Sequence, residues 1–290
     1  MLKGLKALIL ERFSPATYLP MIIVFSLANG LYFYFVRNVQ FNLSIIIVCG
    51  LVMLSAFFRL RLFDEIKDYG VDLKINPERP LARGAIQSIE IKLVIWLLIF
   101  FELFVTSLIN QTAFFVHGIA IVYSLLMYKE FFIGNLIRSR LVVYAVSHTF
   151  VSVLFGLSTA TIAFKGNSSK EALAAICFFL VNWAYFNLFE FSRKTFASNE
   201  ERKNVETYSS LFKPLGAALL SFSQVLLALI ILAVTVQINM LVICLLSLVY
   251  CGFLVLYVRK PIEKFAKLLR HASGAFIILS YCVLIWNFWR

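Results

Sequence analysis

Residues 64–84, DEIKDYGVDLKINPERPLARG, carry five acids, and four of them fall within nine positions. At about 100° per residue Asp64, Asp68, Asp72 and Glu65 point to roughly 0°, 40°, 80° and 100°, so a short helix presents all four carboxylates on one side. Like charges at that spacing repel unless a cation lies among them, and hard divalent ions such as Mg²⁺ prefer oxygen ligands of this kind. Mg²⁺ keeps several waters and completes its shell with substrate phosphates, so the chemistry this cluster suits is a metal-bridged diphosphate. The plain alternative is a solvated helix end with a capping cluster.

Several basic residues are candidates for the phosphate oxygens. Arg79 and Arg83 follow the acids, Lys129, Arg138 and Arg140 lie in a later polar link, and Arg193 and Lys194 end a further apolar run. A guanidinium binds phosphate through two directed hydrogen bonds and an ammonium acts as a point charge, although each of these residues also suits a simple membrane anchor. Glu102 and His117 lie inside apolar runs and are expected to pair, as a structural contact. His148 and Asn182 are buried polar groups for which helix–helix hydrogen bonding is the ordinary use.

The elements that must position these residues are membrane helices. The 290 residues are 61% hydrophobic and 14% charged, with mean hydropathy +0.89, which leaves too little polar surface for a water-soluble domain. Cys49, Cys177, Cys244, Cys251 and Cys282 sit in apolar runs without metal-ligand spacing and read as small hydrophobes. At about 20 apolar residues per crossing the chain offers nine candidate spans: 17–36, 43–63, 89–109, 112–130, 141–164, 172–190, 214–234, 238–257 and 270–288. Links as short as Asn110-Gln111 force antiparallel neighbours. The expectation is therefore an all-α polytopic bundle of about nine transmembrane helices, one domain over 1–290, with its long polar links as caps on one face.

Those long links, counting Arg59 and Arg61 at the edge of the second, carry nearly all the Lys and Arg, and Arg37, Lys165, Lys170 and Arg290 are left for the other side. The positive-inside rule then places the N-terminus and the capping links in the cytoplasm, with the cell (inner) membrane as the expected location. It also explains the net charge of +12 without nucleic acid, for which no motif is present. MLKGLKALILERF and RKPIEKFAKLLRHA set apolar residues against Lys and Arg and read as helices lying on the inner leaflet. Glu11 and Arg12 interrupt the first of these, which argues against a signal peptide.

The acidic run resembles the first aspartate-rich motif of the UbiA-type intramembrane prenyltransferases, in which Asn-Asp-x-x-Asp-x-x-x-Asp is followed by Arg-Pro-Leu-x-x-Gly. The matching positions are Asp64, Glu65, Asp68 and Asp72, then Arg79, Pro80, Leu81 and Gly84, with Asp64 in place of the usual Asn and Glu65 in place of the first Asp. The span count agrees, so the resemblance covers essentially the whole chain. It implies a Mg²⁺-dependent transfer of an isoprenyl group from an isoprenyl diphosphate, drawn from the membrane lipids, to an acceptor. It also implies Asp64, Glu65, Asp68 and Asp72 as metal ligands and Asp68 and Asp72 as catalytic. The family's second aspartate motif is altered: where its first Asp is expected stands Arg193, followed by Lys194. Either Glu190, or the Glu200/Glu201 pair, supplies a second metal, or Arg193 and Lys194 grip the diphosphate with Arg79, Lys129 and Arg138. Phosphoribosyl transfer to a polyprenyl phosphate and a secondary transporter are the alternative functions. A transporter requires ionisable residues at the bilayer midplane, where Glu102 alone qualifies.

Overall fold

The computed structural model describes residues 2–164, 175–202 and 205–290. Lys165, Lys170 and Lys203 lie outside them. Among the described residues the regular elements are all helices: α1 Leu2–Arg12, α2 Pro15–Gly30, α3 Tyr32–Arg37, α4 Leu43–Ile75, α5 Ser88–Ile109, α6 Gln111–Tyr128, α7 Gly134–Ile137, α8 Leu141–Thr149, α9 Val151–Ala163, α10 Ile176–Arg193, α11 Tyr208–Thr235, α12 Leu241–Arg259 and α13 Glu263–Trp289. Among the described residues eight stretches are long and apolar enough to cross a membrane, and they coincide with eight of the nine expected spans. The chain is an integral multi-pass membrane protein. At the place of the sixth expected span α10 is helical but more polar, because Asn182, Asn187, Glu190 and Arg193 interrupt its 18 residues.

The chain divides into two compact units, Met1–Phe132 with Ser158–Ser168, and Ile133–Leu157 with Ser169–Arg290. In the first unit α4 packs against α2, α5 and α6, and α5 against α6. Leu62, Phe63, Ile91, Ile95, Ile99 and Ile121 form its core, joined by Leu8 of α1 and Leu81 of the link after α4. Side chains fix where these helices start. The Asn42 carboxamide accepts the Ser44 N–H at 2.9 Å, Gln87 and Glu90 close a capping box, and Asn110 accepts the Ala113 N–H at 2.7 Å.

α4 differs from the expected span 43–63 followed by a separate short helix. It continues without a break for 33 residues, about 50 Å at 1.5 Å per residue, against a hydrocarbon core of about 30 Å. The loss of hydropathy at Asp64 therefore marks the end of lipid contact rather than the end of the helix. All four acids ride on its last three turns, rigidly tied to the membrane-embedded part.

In the second unit α10 packs along α11 and against α8 and α13, and α12 packs against α11 and α13. Ala145, Phe191, Tyr208 and Ala217 meet in its core. α11 starts earlier than the span expected at 214, with its Thr207–Ser210 capping box before a kink at Lys213 (φ 60°, ψ 169°). Pro214 causes the kink: it excludes the α-helical region for the residue before it and has no N–H to donate. The segment 259–272, read from sequence as a surface helix, is instead the turn at Lys260 and the first turns of the 27-residue α13. Ala266 and Leu269 there are fully buried.

Candidate active site

The turn after α4 shows what each residue of Arg-Pro-Leu-x-x-Gly does locally. Arg79 Nη1 donates back to Asp72 Oδ1 at 2.5 Å, and Asn76 Nδ2 reaches the same oxygen at 3.1 Å. The Pro80 carbonyl accepts the Ala85 N–H at 2.9 Å, Leu81 plugs into the core, and Gly84 takes φ +75°, which glycine adopts without a Cβ penalty. α1 clasps this turn. Glu11 forms two hydrogen bonds with the Arg83 guanidinium, at 2.6 and 2.8 Å, and a Cβ on Gly4 would stand 2.2 Å from the Ala85 carbonyl oxygen.

The four acids have different surroundings. Glu65 is almost fully buried; its Oε1 accepts from Arg12 Nε at 2.6 Å and from Arg61 Nη2 at 2.8 Å, while its Oε2 is buried without a hydrogen-bond partner among the described residues. Asp72 is buried against Arg79 and Asn76. Asp64 is half-exposed, with Arg61 and Lys67 each 3.8 Å away. Asp68, one turn from both Asp64 and Asp72, is half-buried and forms no ion pair among the described residues.

For Mg²⁺, which binds through one or two carboxylates together with phosphate and water, Asp64 and Asp68 are the donors that fit, with Asp72 beside them. Among the described residues no three His, Cys, Asp or Glu side chains gather tightly enough to hold an ion unaided. Glu65, expected from sequence as a fourth ligand, is held by two arginines at the buried edge of the helix.

Deeper in the first unit lies a polar network that the sequence showed only in part. Glu102 and His117 do pair, Oε2 to Nε2 at 3.0 Å, and His117 Nδ1 meets Ser158 Oγ at 2.7 Å. The partner missed was Arg59, read as an inside-positive anchor. Its side chain is completely buried and donates to Glu102 through Nη2 at 2.8 Å and Nε at 3.1 Å, and through Nη1 to Ser124. Ser55 Oγ adds a fourth contact to Glu102 at 2.8 Å. The signal was present: a carboxylate in the middle of a span needs a cation, and Ser55 and Arg59 are one helical turn apart on a common face.

In the second unit Arg193 and Lys194 both meet Glu190, Arg193 through Nε and Lys194 at 3.1 Å. The loop they open closes on itself, with the Tyr208 N–H bonded to the Lys194 carbonyl at 3.1 Å. Glu200 and Glu201, the other acids considered for a second metal, are engaged there. Glu201 accepts from Thr207 and Ser209, each at 2.7 Å. Glu200 accepts from Arg270 Nη2 at 2.5 Å and from the Ala197 N–H at 3.1 Å. Burial opposes ionisation of Glu200, but these donors outweigh it and hold the carboxyl below its ordinary value. Lys129, in the first unit, is exposed with its ammonium 5.2 Å from the Tyr128 ring centroid. Arg138, in the second, is exposed at the end of α7.

Two solved structures share this architecture. A digeranylgeranylglyceryl phosphate synthase in membranes superposes with TM-score 0.66 at 14% identity, over 100% of this chain and 99% of that one. A UbiA homolog from Aeropyrum pernix K1 superposes with TM-score 0.60 at 15% identity, over 89% of this chain and 97% of that one. The chain has the UbiA fold. No family model and no curated protein matches it by sequence. At 14–15% identity what is shared with these UbiA-fold proteins is the course of the backbone. Roles for Asp64, Asp68, Asp72, Arg79, Arg193 and Lys194 rest on their own chemistry.

Proposed function

We propose that the protein is a Mg²⁺-dependent membrane prenyltransferase that moves an isoprenyl group from an isoprenyl diphosphate to an acceptor at the bilayer. The observation that carries this reading is Asp68: a carboxylate without an ion-pair partner among the described residues, flanked one turn away on either side by Asp64 and Asp72, at the emergent end of a membrane helix. The UbiA fold supports it, since one protein sharing that fold is a digeranylgeranylglyceryl phosphate synthase.

In this reading Asp64 and Asp68 hold the ion, with Asp72 beside them. Bound Mg²⁺ would neutralise the diphosphate and make it a better leaving group. Arg79 holds Asp72 in place and carries a guanidinium that can turn to a phosphate oxygen. Arg193 and Lys194 are assigned phosphate binding on residue chemistry alone, released from Glu190 when an anion arrives. The allylic carbon–oxygen bond breaks with its electron pair going to diphosphate, and the acceptor nucleophile bonds to that carbon and gives up its proton.

Arg193 at the place of an expected Asp favours one second reading, phosphoribosyl transfer to a polyprenyl phosphate, in which basic residues hold the lipid monophosphate. Purified protein in liposomes with Mg²⁺ and either labelled isoprenyl diphosphates or labelled phosphoribosyl diphosphate decides between them. Prenylated lipid with released diphosphate supports the first, and label transfer from the sugar donor supports the second. Cation flux without turnover of either donor contradicts both.

A further inference from the structure

The N-terminal helix α1 has two functionally different faces. One is consumed by the protein: Gly4 and Leu8 are buried, Glu11 pairs with Arg83 and Arg12 with Glu65. The other carries Lys6 and Ile9, about one turn apart, and buried Phe13 follows just past the end of the helix. Ile9 and Phe13 line a cavity of about 500 Å³ whose other walls include Leu19, Leu51, Leu54 and Phe58. This lies within the range of roughly 300–1,000 Å³ usual for small-molecule sites. Its lining is apolar apart from Ser55, whose hydroxyl is turned to Glu102.

A second cavity, of about 310 Å³, shares Leu19, Leu51 and Leu54 with the first and runs on to Leu43. Together they form a furrow along α4 from Phe58 to Leu43, about 22 Å at 1.5 Å per residue. That is longer than half of a hydrocarbon core of about 30 Å, so a chain entering beside α1 would be lined by protein along its whole length. Lys6 and Lys3 precede Ile9 by about one and two turns of α1, at the end of the furrow where that helix lies. Lys3 and Lys6 are exposed and have no carboxylate partner among the described residues, whereas Glu11 is already paired.

We propose that this furrow binds one chain of an anionic bilayer phospholipid, with Lys3 and Lys6 holding its headgroup. An apolar chain and a small basic patch are the two signals that together make a stable lipid contact. None of the furrow's residues belongs to the carboxylate cluster, so the site stands whether or not the protein transfers prenyl groups.

The test is native mass spectrometry of the full-length protein after exchange into an equimolar mixture of phosphatidylglycerol and phosphatidylcholine with identical acyl chains. The expected result is one retained phosphatidylglycerol per chain, favoured about tenfold, with the preference lost in Lys3→Gln/Lys6→Gln and kept in Lys6→Arg. Leu54→Trp, which fills the furrow, should lower retention of both lipids about fivefold; if that variant does not fold, the lysine variants decide. Equal retention of the two lipids by the parent, or undiminished preference in the lysine variants, overturns the proposal. So does displacement of the lipid by a long-chain isoprenyl diphosphate, which would assign the furrow to that molecule.

Discussion

Arg59 and Glu102 form a doubly hydrogen-bonded ion pair inside the first unit, Nη2 to Oε2 at 2.8 Å and Nε to Oε1 at 3.1 Å, with both side chains wholly buried. In a membrane protein this arrangement joins α4 to α5 by the strongest polar contact available there, and His117, Ser55 and Ser124 satisfy the remaining valences. Since α4 also carries Asp64, Asp68 and Asp72, the pair sets the rotation of the helix that presents them.

Removing one partner should cost far more than removing both. Arg59→Met takes the guanidinium from buried Glu102, leaving it only the His117 and Ser55 contacts, and is expected to destabilise the protein by about 3–5 kcal/mol, whereas Arg59→Met/Glu102→Leu should be milder. Thermal unfolding of the detergent-solubilised proteins measures the difference. A single variant as stable as the parent would show that the pair does not hold α4 to α5.

The loop after α10 should loosen in acid. Glu200 is held below its ordinary value of 4.5, so its contact with Arg270 contributes stability that is fully present above 4.5 and is lost as pH falls through the lower, folded value. Pepsin cleavage between residues 194 and 207 should rise as pH drops below 4.5 in the parent. In Glu200→Gln it should already be high at 4.5. Identical pH profiles in the two proteins would remove Glu200 from the latch.

The two ends of α4 should be reachable from opposite sides of the membrane. Asn38 precedes this helix and Glu78 follows it, both exposed, and the positive-inside rule assigns the basic end after Asp64 to the cytoplasm. Single cysteines at Asn38 and Glu78, in a cysteine-free background, should react with an impermeant maleimide from opposite faces of sealed vesicles. Labelling of both from one face would mean that α4 does not cross.

Arg193 should matter by its shape as well as its charge. Arg193→Lys keeps the cation but loses the fork that binds phosphate oxygens in pairs, so diphosphate affinity should fall about threefold to tenfold, and further in Arg193→Ala. Isothermal titration with the donor reads this directly. Unchanged affinity in both variants would leave Arg193 as a membrane anchor tied to Glu190.

Most of the helical pattern was legible in the sequence because spans are written in about 20 apolar residues each, and short links such as Asn110 leave little choice of neighbour. The failures share a cause: hydropathy records contact with lipid, not the course of the helix. It ended α4 at Phe63, although the helix runs on to Ile75, and it detached the first turns of α13 as a surface piece. Charge was misread in a similar way. Arg59 was counted by its place near a span end, and only the orientation of its side chain shows that it points inward to Glu102. The one-sided spacing of Asp64, Asp68 and Asp72 was visible at 100° per residue, while the capture of Glu65 by Arg12 depends on where α1 docks, which no local pattern records.

The most direct measurement is the rate of Mg²⁺-dependent diphosphate release from an isoprenyl diphosphate by the parent, Asp68→Ala and Asp72→Ala in liposomes, with folding checked by size-exclusion chromatography. Loss of Asp68 as a ligand, or of Asp72 beside it with its hold on Arg79, should slow the reaction by about 100-fold or more, equivalent to about 3 kcal/mol of transition-state stabilisation. Both variants should remain folded and inserted while turnover falls to background. Near-parental rates for both at saturating Mg²⁺ would contradict a metal–diphosphate site on this face of α4.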